Sequence, residues 1–125
     1  MKAVVQRVSR ARVSVEGRAI GSIAGGLLVY ARVAEGDEVA DAEYLAGKIA
    51  NLRIFEREGR MNDSVIDSGG AILLVSQFTL LADTRKGRRP SFTAAAEPEM
   101  AEGLLGELKR GLEAAGVAVE TGEFG

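Results

Sequence analysis

The sequence predicts an α/β fold, a single-domain layered sandwich of β-sheets with two helices on one side and mostly antiparallel N-terminal strands. Three observations support this class. The first 33 residues hold valine-rich or alternating segments, two later segments have helical spacing, and short apolar or alternating runs follow each of those two segments. With 125 residues, residues 1–125 are expected to form one domain.

The N-terminal strands are predicted from alternation and turn residues. Residues 3–9 are rich in valine, and residues 12–15 alternate polar and apolar side chains. A turn follows, so residues 18–23 are expected to return as the second arm of a hairpin, although Gly21 weakens that strand. Residues 27–33 are mostly apolar, which predicts a buried central strand.

Two helices are predicted from apolar stripes and from the residues at their ends. Asp37 is the expected N-cap of the first helix, Pro98 suits the first position of the second, and Gly116 is placed to end it. The stripes have the spacing of one helix face. They consist of Val39, Ala42, Leu45, Ala46, Ile49 and Leu52, and of Ala101, Leu104, Leu105, Leu108, Leu112 and Ala115.

The later strands are shorter. Residues 53–57 read as a strand with a turn after it, and residues 71–75 read as a second buried strand introduced by a glycine pair. Beyond Thr79 the chain becomes a polar, basic loop as far as residue 93. Residues 117–121 alternate and predict a last strand.

The composition excludes several kinds of active site. The chain contains no histidine and no cysteine, so a Ser-His-Asp triad, a cysteine nucleophile and thiolate zinc ligation are excluded within it. Asp63, Asp67 and Asp83 lack metal-ligand spacing, so no metal is expected. No other cofactor is expected either. With no apolar run of roughly 20 residues and no signal-peptide pattern, a cytoplasmic protein is the expectation.

The most informative candidate site follows the second buried strand. Ser76, Gln77, Phe78 and Thr79 offer two hydroxyls, an amide and a flat apolar ring at the carboxyl end of a strand, where α/β sheets commonly bind ligands. Backbone N–H groups freed at the strand end can point at a ligand oxygen. The alternative is that the two hydroxyls only bond to the local backbone.

A basic cluster comes next along the chain. Arg85, Lys86, Arg88 and Arg89 fall within five positions, and Gly87 between them would let a phosphate approach the backbone. Arginine offers the forked donors that phosphate recognition uses. The cluster therefore predicts an anion site, with a solvated loop as the alternative.

A third candidate is Arg7, which lies within a valine-rich strand on the same predicted face as Ala3 and Val5. An arginine that faces a core or an interface must be paired, because its desolvation is costly. The alternative is an edge strand from which the guanidinium reaches water.

Several segments together resemble the D-aminoacyl-tRNA deacylases, also called D-tyrosyl-tRNA deacylases. The most specific is VSQFTLLADTRKGRRPSF at residues 75–92. The start MKAVVQRVSRARVSVEG, the segments GLLVYARVAEGD and YLAGKIANLRIFE, and the final VAVETGEFG are also similar to that family. The resemblance covers essentially the whole chain.

This resemblance implies a homodimeric, cytoplasmic editing enzyme with active sites at the dimer interface. Such enzymes hydrolyse the ester between a D-amino acid and the 3′-terminal adenosine of tRNA, also remove glycine, and spare L-aminoacyl-tRNA. Residues 76–79 match the family motif that lines the aminoacyl pocket, and Thr79 matches a threonine once proposed as the nucleophile. Arg7 matches the arginine that braces a second motif.

That second motif is a Gly-Pro dipeptide that the partner subunit inserts to read chirality, and the chain departs from it. The prolines are Pro90 and Pro98, and neither follows glycine. Either a C-terminal truncation or a member without the chiral filter is expected. The leading hypothesis is an esterase acting on aminoacyl-tRNA. The alternatives are a catalytically silent dimer that binds the tRNA acceptor end and a purely structural dimer.

Overall fold

The computed structural model describes residues 1–76 and 97–122. In this part of the chain, a four-stranded sheet carries two long helices on one face and a hairpin on the other. In chain order the elements are β1 (Lys2–Val8), β2 (Ala11–Val15), β3 (Arg18–Ile23), β4 (Gly26–Arg32), α1 (Val39–Asn51), β5 (Phe55–Arg57), β6 (Arg60–Asp63), α2 (Val65–Ser68), β7 (Ala71–Ser76), α3 (Pro98–Ala114) and β8 (Ala118–Thr121).

The main sheet has the strand order β1-β4-β7-β8. Strand β1 pairs antiparallel with β4, while β4 pairs parallel with β7 and β7 pairs parallel with β8. Parallel neighbours need long crossover connections, and α1 and α3 lie in these two crossovers. The predicted fold class and the antiparallel pairing of the N-terminal strands are confirmed.

The core lies between the sheet and the two long helices. Its centre includes Leu27 and Val29 of β4, Ile72 of β7, and Leu108 and Leu112 of α3, all of them fully or almost fully buried. Helices α1 and α3 approach closely, since a Cβ added to Gly111 would lie 2.7 Å from the Cβ of Ala46. Most residues of the predicted apolar stripes face the core as expected. Val39, however, is 46% exposed, Ala115 is exposed, and Leu52 and Ala115 are C-caps just past the ends of their helices.

The opposite face of the sheet is covered unevenly. The β2–β3 hairpin contacts β7 and β8, and a Cβ at Gly21 would lie 2.6 Å from the backbone oxygen of Thr121. Gly21 is thus required by close packing. Among the described residues, the β1 and β4 half of this face is less well covered, because Val4 is 49% exposed and Leu28 and Tyr30 are only partly buried.

The predicted N-cap of the first helix was wrong. Helix α1 begins at Val39 with Glu38 as its N-cap, and the backbone N–H of Glu38 donates to the Asp41 carboxylate at 2.8 Å. Asp37 instead accepts a hydrogen bond from the backbone N–H of Ala34 at 2.7 Å and pairs with the N-terminal ammonium of Met1 at 2.7 Å. A contact with the chain terminus leaves no local pattern in the sequence.

The segment between α1 and β7 contains more structure than was predicted. The expected strand at residues 53–57 is shorter, since β5 begins at Phe55, and it pairs with β6. The one-turn helix α2 is a third helix, held by reciprocal contacts between Ser64 and Asp67. Four residues are too few to show a helical period. Within residues 1–76 and 97–122, no helix is both long and apolar enough to cross a membrane.

Candidate active site

Ser76 is the last residue of β7 and lies on the helix side of the sheet. Alternation along the strand places it on the same face as Ile72 and Leu74, which belong to the core. Its hydroxyl oxygen is buried and has no hydrogen-bond partner in the described structure. Buried hydroxyls are normally paired, so Ser76 Oγ has donor and acceptor capacity to offer a ligand.

A cavity of about 160 Å³ adjoins Ser76 at the carboxyl ends of β7 and β8. Apolar atoms of Leu74 and Leu105 line it, and Glu102 and Lys109 of α3 contribute charges of both signs. Gly106 lies between those two charges along the helix, and a Cβ there would meet no atom within 4 Å. The cavity is a small, mixed polar and apolar space beside an unpartnered hydroxyl.

The remaining residues of the two main candidate clusters lie outside the described residues. These residues are Gln77, Phe78 and Thr79, and the basic residues Arg85, Lys86, Arg88 and Arg89. Their roles stay predictions from the sequence.

Arg7 projects from the opposite end of the sheet. It lies across from Leu27, and among the described strands β1 lies at an edge of the sheet, as one of the two alternatives expected. The Arg7 Nη1 donates to the carbonyl oxygen of Ile54 at 2.9 Å, so the exposed guanidinium is also partly paired. It borders an open cleft of about 600 Å³ that Phe55 and Ser68 also line.

Arg7 and Ser76 of one chain are far apart. The register aligns Arg7 with Leu27 and Leu27 with Ile72, four residues before Ser76. Four residues along a strand and two strand spacings across the sheet amount to roughly 16 Å between the two Cα atoms. The structure therefore does not bring these two candidate residues together within one chain.

Arg32 is a buried cation that sequence reasoning missed. It ends β4, beside the Ala31 position that pairs with Ser76, and it is only 3% exposed. Burial lowers the pKa of Arg32, although a guanidinium remains charged at neutral pH. The available signal was a single charge within the apolar run of residues 27–33.

In the described part of the chain, fold and site together define an α/β protein with an unpartnered serine hydroxyl and a small cavity at the carboxyl end of a parallel strand pair. The family model described as D-Tyr-tRNA(Tyr) deacylase matches residues 4–125. The chain therefore belongs to the D-Tyr-tRNA(Tyr) deacylase family.

Curated relatives match over the full chain. The chain is 56% identical to the D-aminoacyl-tRNA deacylase of Halalkalibacterium halodurans over 126 residues, which cover 100% of this chain and 86% of the relative. It is 58% identical to the protein of the same name from Dehalococcoides mccartyi, of which 82% is covered.

Two solved structures share the fold. The c-Myc DNA unwinding element binding protein is similar with a TM-score of 0.92 and 40% identity, over 99% of this chain and 85% of that one. A probable eukaryotic D-amino acid tRNA deacylase has a TM-score of 0.76 over 98% of this chain and 88% of its own. At 16% identity, the second likeness shows the fold alone.

Proposed function

We propose that the chain hydrolyses the ester bond between a D-amino acid and the 3′ end of tRNA, releasing the free amino acid and tRNA in translation quality control. Mischarged glycyl-tRNA is the second proposed substrate. The observation that carries the proposal is the match of this whole chain to D-aminoacyl-tRNA deacylases at 56–58% identity, over 82–86% of those relatives. A single hydrophobic core contains residues from Leu27 to Val119, and Met1 packs against it. This supports the proposal that residues 1–125 act as one domain.

Residues 76–79 are proposed to line the aminoacyl pocket. The support from the structure is the position of Ser76 at a strand end, its hydroxyl without a partner among the described residues, and the adjoining cavity. The chain has no histidine or cysteine, so the proposed chemistry relies on polarising the ester carbonyl. Backbone N–H groups near Phe78 and Thr79 would stabilise the developing oxyanion, where loss of one donor typically costs on the order of 10²–10³ in rate.

The proposed attacking group is water assisted by the ribose 2′-hydroxyl of the substrate. With no histidine in the chain to deprotonate it, Thr79 is assigned the positioning of substrate or water. We expect Thr79→Ala to retain turnover and a 2′-deoxy-terminated substrate to react slowly, as measured by release of labelled amino acid. If Thr79→Ala abolishes turnover while the deoxy substrate reacts normally, Thr79 is the nucleophile instead.

A homodimer with active sites at its interface is proposed as the working form. An interface site assembled from two copies does not require Arg7 and Ser76 of one chain to meet, and Arg7 keeps its proposed role in substrate binding. The less covered β1 and β4 half of the sheet is a partly apolar surface on which a second copy can pack, with Val4 and Tyr30 paired across it. The exposed polar side chains of Lys2 and Gln6 lie on the same face.

The basic cluster Arg85, Lys86, Arg88 and Arg89 is proposed to bind tRNA phosphates. Its support is the density of cations on a chain whose net charge is −2. The proposed location is the cytoplasm, where aminoacyl-tRNA is used, and no cofactor is invoked.

The deciding experiment measures deacylation of D-Tyr-tRNA, Gly-tRNA and L-Tyr-tRNA by the purified chain against buffer alone. We expect D-Tyr-tRNA and Gly-tRNA to be hydrolysed well above the buffer rate and L-Tyr-tRNA to be spared. Binding of tRNA without any turnover would instead support the silent acceptor-end binder. A chain that neither binds tRNA nor hydrolyses it would be the structural dimer.

A further inference from the structure

Charge is distributed unevenly along the chain. Residues 1–33 contain six cationic side chains and a single carboxylate, Glu16, whereas the net charge of the whole chain is −2. A local excess of five positive charges on an acidic chain favours contact with a polyanion. The cations are Lys2, Arg7, Arg10, Arg12, Arg18 and Arg32.

Two of these cations border a cleft where β1 passes into β2. Arg10 and Arg12 are exposed and line an open cleft of about 460 Å³ together with Ser22, which pairs with Arg12 across the hairpin. The neighbouring cleft contains Arg7 and Ser9. Because Ser9 and Arg10 are consecutive, the two clefts share a rim, and we call Arg10, Arg12, Ser9 and Ser22 the arginine edge.

The charges of the arginine edge are not neutralised within the described chain. Arg57 pairs with Asp63 at 3.2 Å and Arg110 pairs with Glu107, but neither Arg10 nor Arg12 forms an ion pair in that part of the molecule. Two exposed guanidinium groups two residues apart repel each other. An external anion would relieve this repulsion, and the two serines add hydroxyl donors of the kind that bind phosphate oxygens.

We propose that the arginine edge binds the phosphate backbone of the acceptor stem of the tRNA substrate, in addition to the contacts predicted for the Arg85–Arg89 cluster. This inference rests on the proposed function, which makes tRNA the substrate. Arginine suits the task because its forked donors match two phosphate oxygens. The stem would be held here through its backbone, so binding would be independent of stem sequence.

The test measures the dissociation constant of deacylated tRNA, and of a minihelix containing only the acceptor arm, over a range of salt concentrations. For the double variant Arg10→Ala with Arg12→Ala, we expect both RNAs to bind on the order of tenfold more weakly at 0.1 M salt. Its log–log salt slope should be shallower by about 1.4–1.8, or roughly 0.7–0.9 for each lost phosphate contact.

Two controls separate this role from general effects of charge. Arg10→Lys with Arg12→Lys retains both charges and should keep most of the salt slope. Arg18→Ala removes an exposed cation from the other end of the same hairpin, where Arg18 pairs with Val15, and should leave the slope unchanged.

An unaltered slope in the double alanine variant would overturn the inference, as would an effect on whole tRNA but not on the minihelix. Turnover of D-Tyr-tRNA by the unmodified chain is measured separately. Failure of the proposed function appears there, as absent turnover, while the salt slope still reports on the arginine edge.

Discussion

The two ends of β7 are built in opposite ways. At its amino end the backbone N–H groups of Gly69, Gly70 and Ala71 all donate to carbonyl oxygens, at 3.0–3.1 Å. Gly26 and Gly70 leave no room for a Cβ there, because the backbones of β4 and the start of β7 approach so closely. At its carboxyl end, the Ser76 hydroxyl has no hydrogen-bond partner among the described residues and lies beside a cavity of about 160 Å³. Backbone groups that are hydrogen-bonded and closely packed indicate a structural role. A buried hydroxyl that has no partner and lies beside a cavity indicates a ligand site.

The largest expected loss of stability comes from adding a side chain at the close-packed amino end of β7. In Gly26→Ala, the new Cβ would lie 1.8 Å from the carbonyl oxygen of Ala71, at a φ of +154°. We expect the free energy of unfolding in urea to fall by about 3 kcal/mol or more, since backbone on both sides must move. Gly25→Ala is the control, because a Cβ there meets nothing within 4 Å; equal losses in both variants would refute the close-approach explanation.

The next largest effect on stability is expected at the contact between helices α1 and α3. Gly111→Ala places a methyl group 2.7 Å from the Ala46 Cβ. We expect it to lower the free energy of unfolding by about 1–2 kcal/mol, because overpacking outweighs the gain in helix propensity. Gly103→Ala, with no atom within 4 Å of the new Cβ, should instead stabilise by about 0.5–1 kcal/mol. Thermal or urea unfolding would detect the opposite signs, and a shared sign would contradict this packing.

Ser76→Ala tests the proposed ligand site at the carboxyl end of β7 directly. Because the hydroxyl has no partner in the described structure, its removal should change the free energy of unfolding by less than about 0.5 kcal/mol. We expect kcat/KM on D-Tyr-tRNA to fall on the order of tenfold, through loss of a hydrogen bond to the substrate.

Ser64→Ala is expected to have the opposite result, a loss of stability with little change in activity. The Ser64 hydroxyl accepts from the backbone N–H of Asp67 at 3.2 Å, so its loss should cost about 1 kcal/mol of stability and little activity. A large stability loss in Ser76→Ala, or undiminished turnover in that variant, would contradict the assignment of the carboxyl end of β7 to ligand binding and its amino end to structure.

The smallest expected effect is the loss of stability at low pH that results from the Asp67 carboxylate. Hydrogen bonds from the backbone and side chain of Ser64 lower the pKa of Asp67, with smaller help from Arg57 and Arg53. A lowered pKa in the folded state means stability that is present above the unfolded pKa, about 3.9, and lost as pH falls through the folded value. Urea midpoints between pH 7 and pH 3 should therefore fall less for Asp67→Asn than for the unchanged chain. Parallel curves would contradict the linkage.

The elements that were predicted well are those whose signal repeats. Helices α1 and α3 supply 13 and 17 residues with one apolar stripe each, and β4 is a run of buried residues interrupted only by Leu28 and Tyr30. Helix α2 and the N-cap Glu38 were missed, because a single turn and a contact between Asp37 and the chain terminus carry no periodic pattern. Of the candidate site, only Ser76 and Arg7 lie in the described part of the chain.

The fold class, the family resemblance and the exclusion of histidine and cysteine chemistry can all be read from the amino-acid sequence alone. These follow from composition, periodicity and motifs, which are properties of neighbouring residues. Three features depend on tertiary packing. Within the described residues, the Ser76 hydroxyl has no partner and lies beside a cavity, and Arg10 and Arg12 have no carboxylate partner. Arg7 lies roughly 16 Å from Ser76, at the other end of the sheet. Pairing and distance depend on residues remote in sequence, so they are settled only when strands align and helices pack.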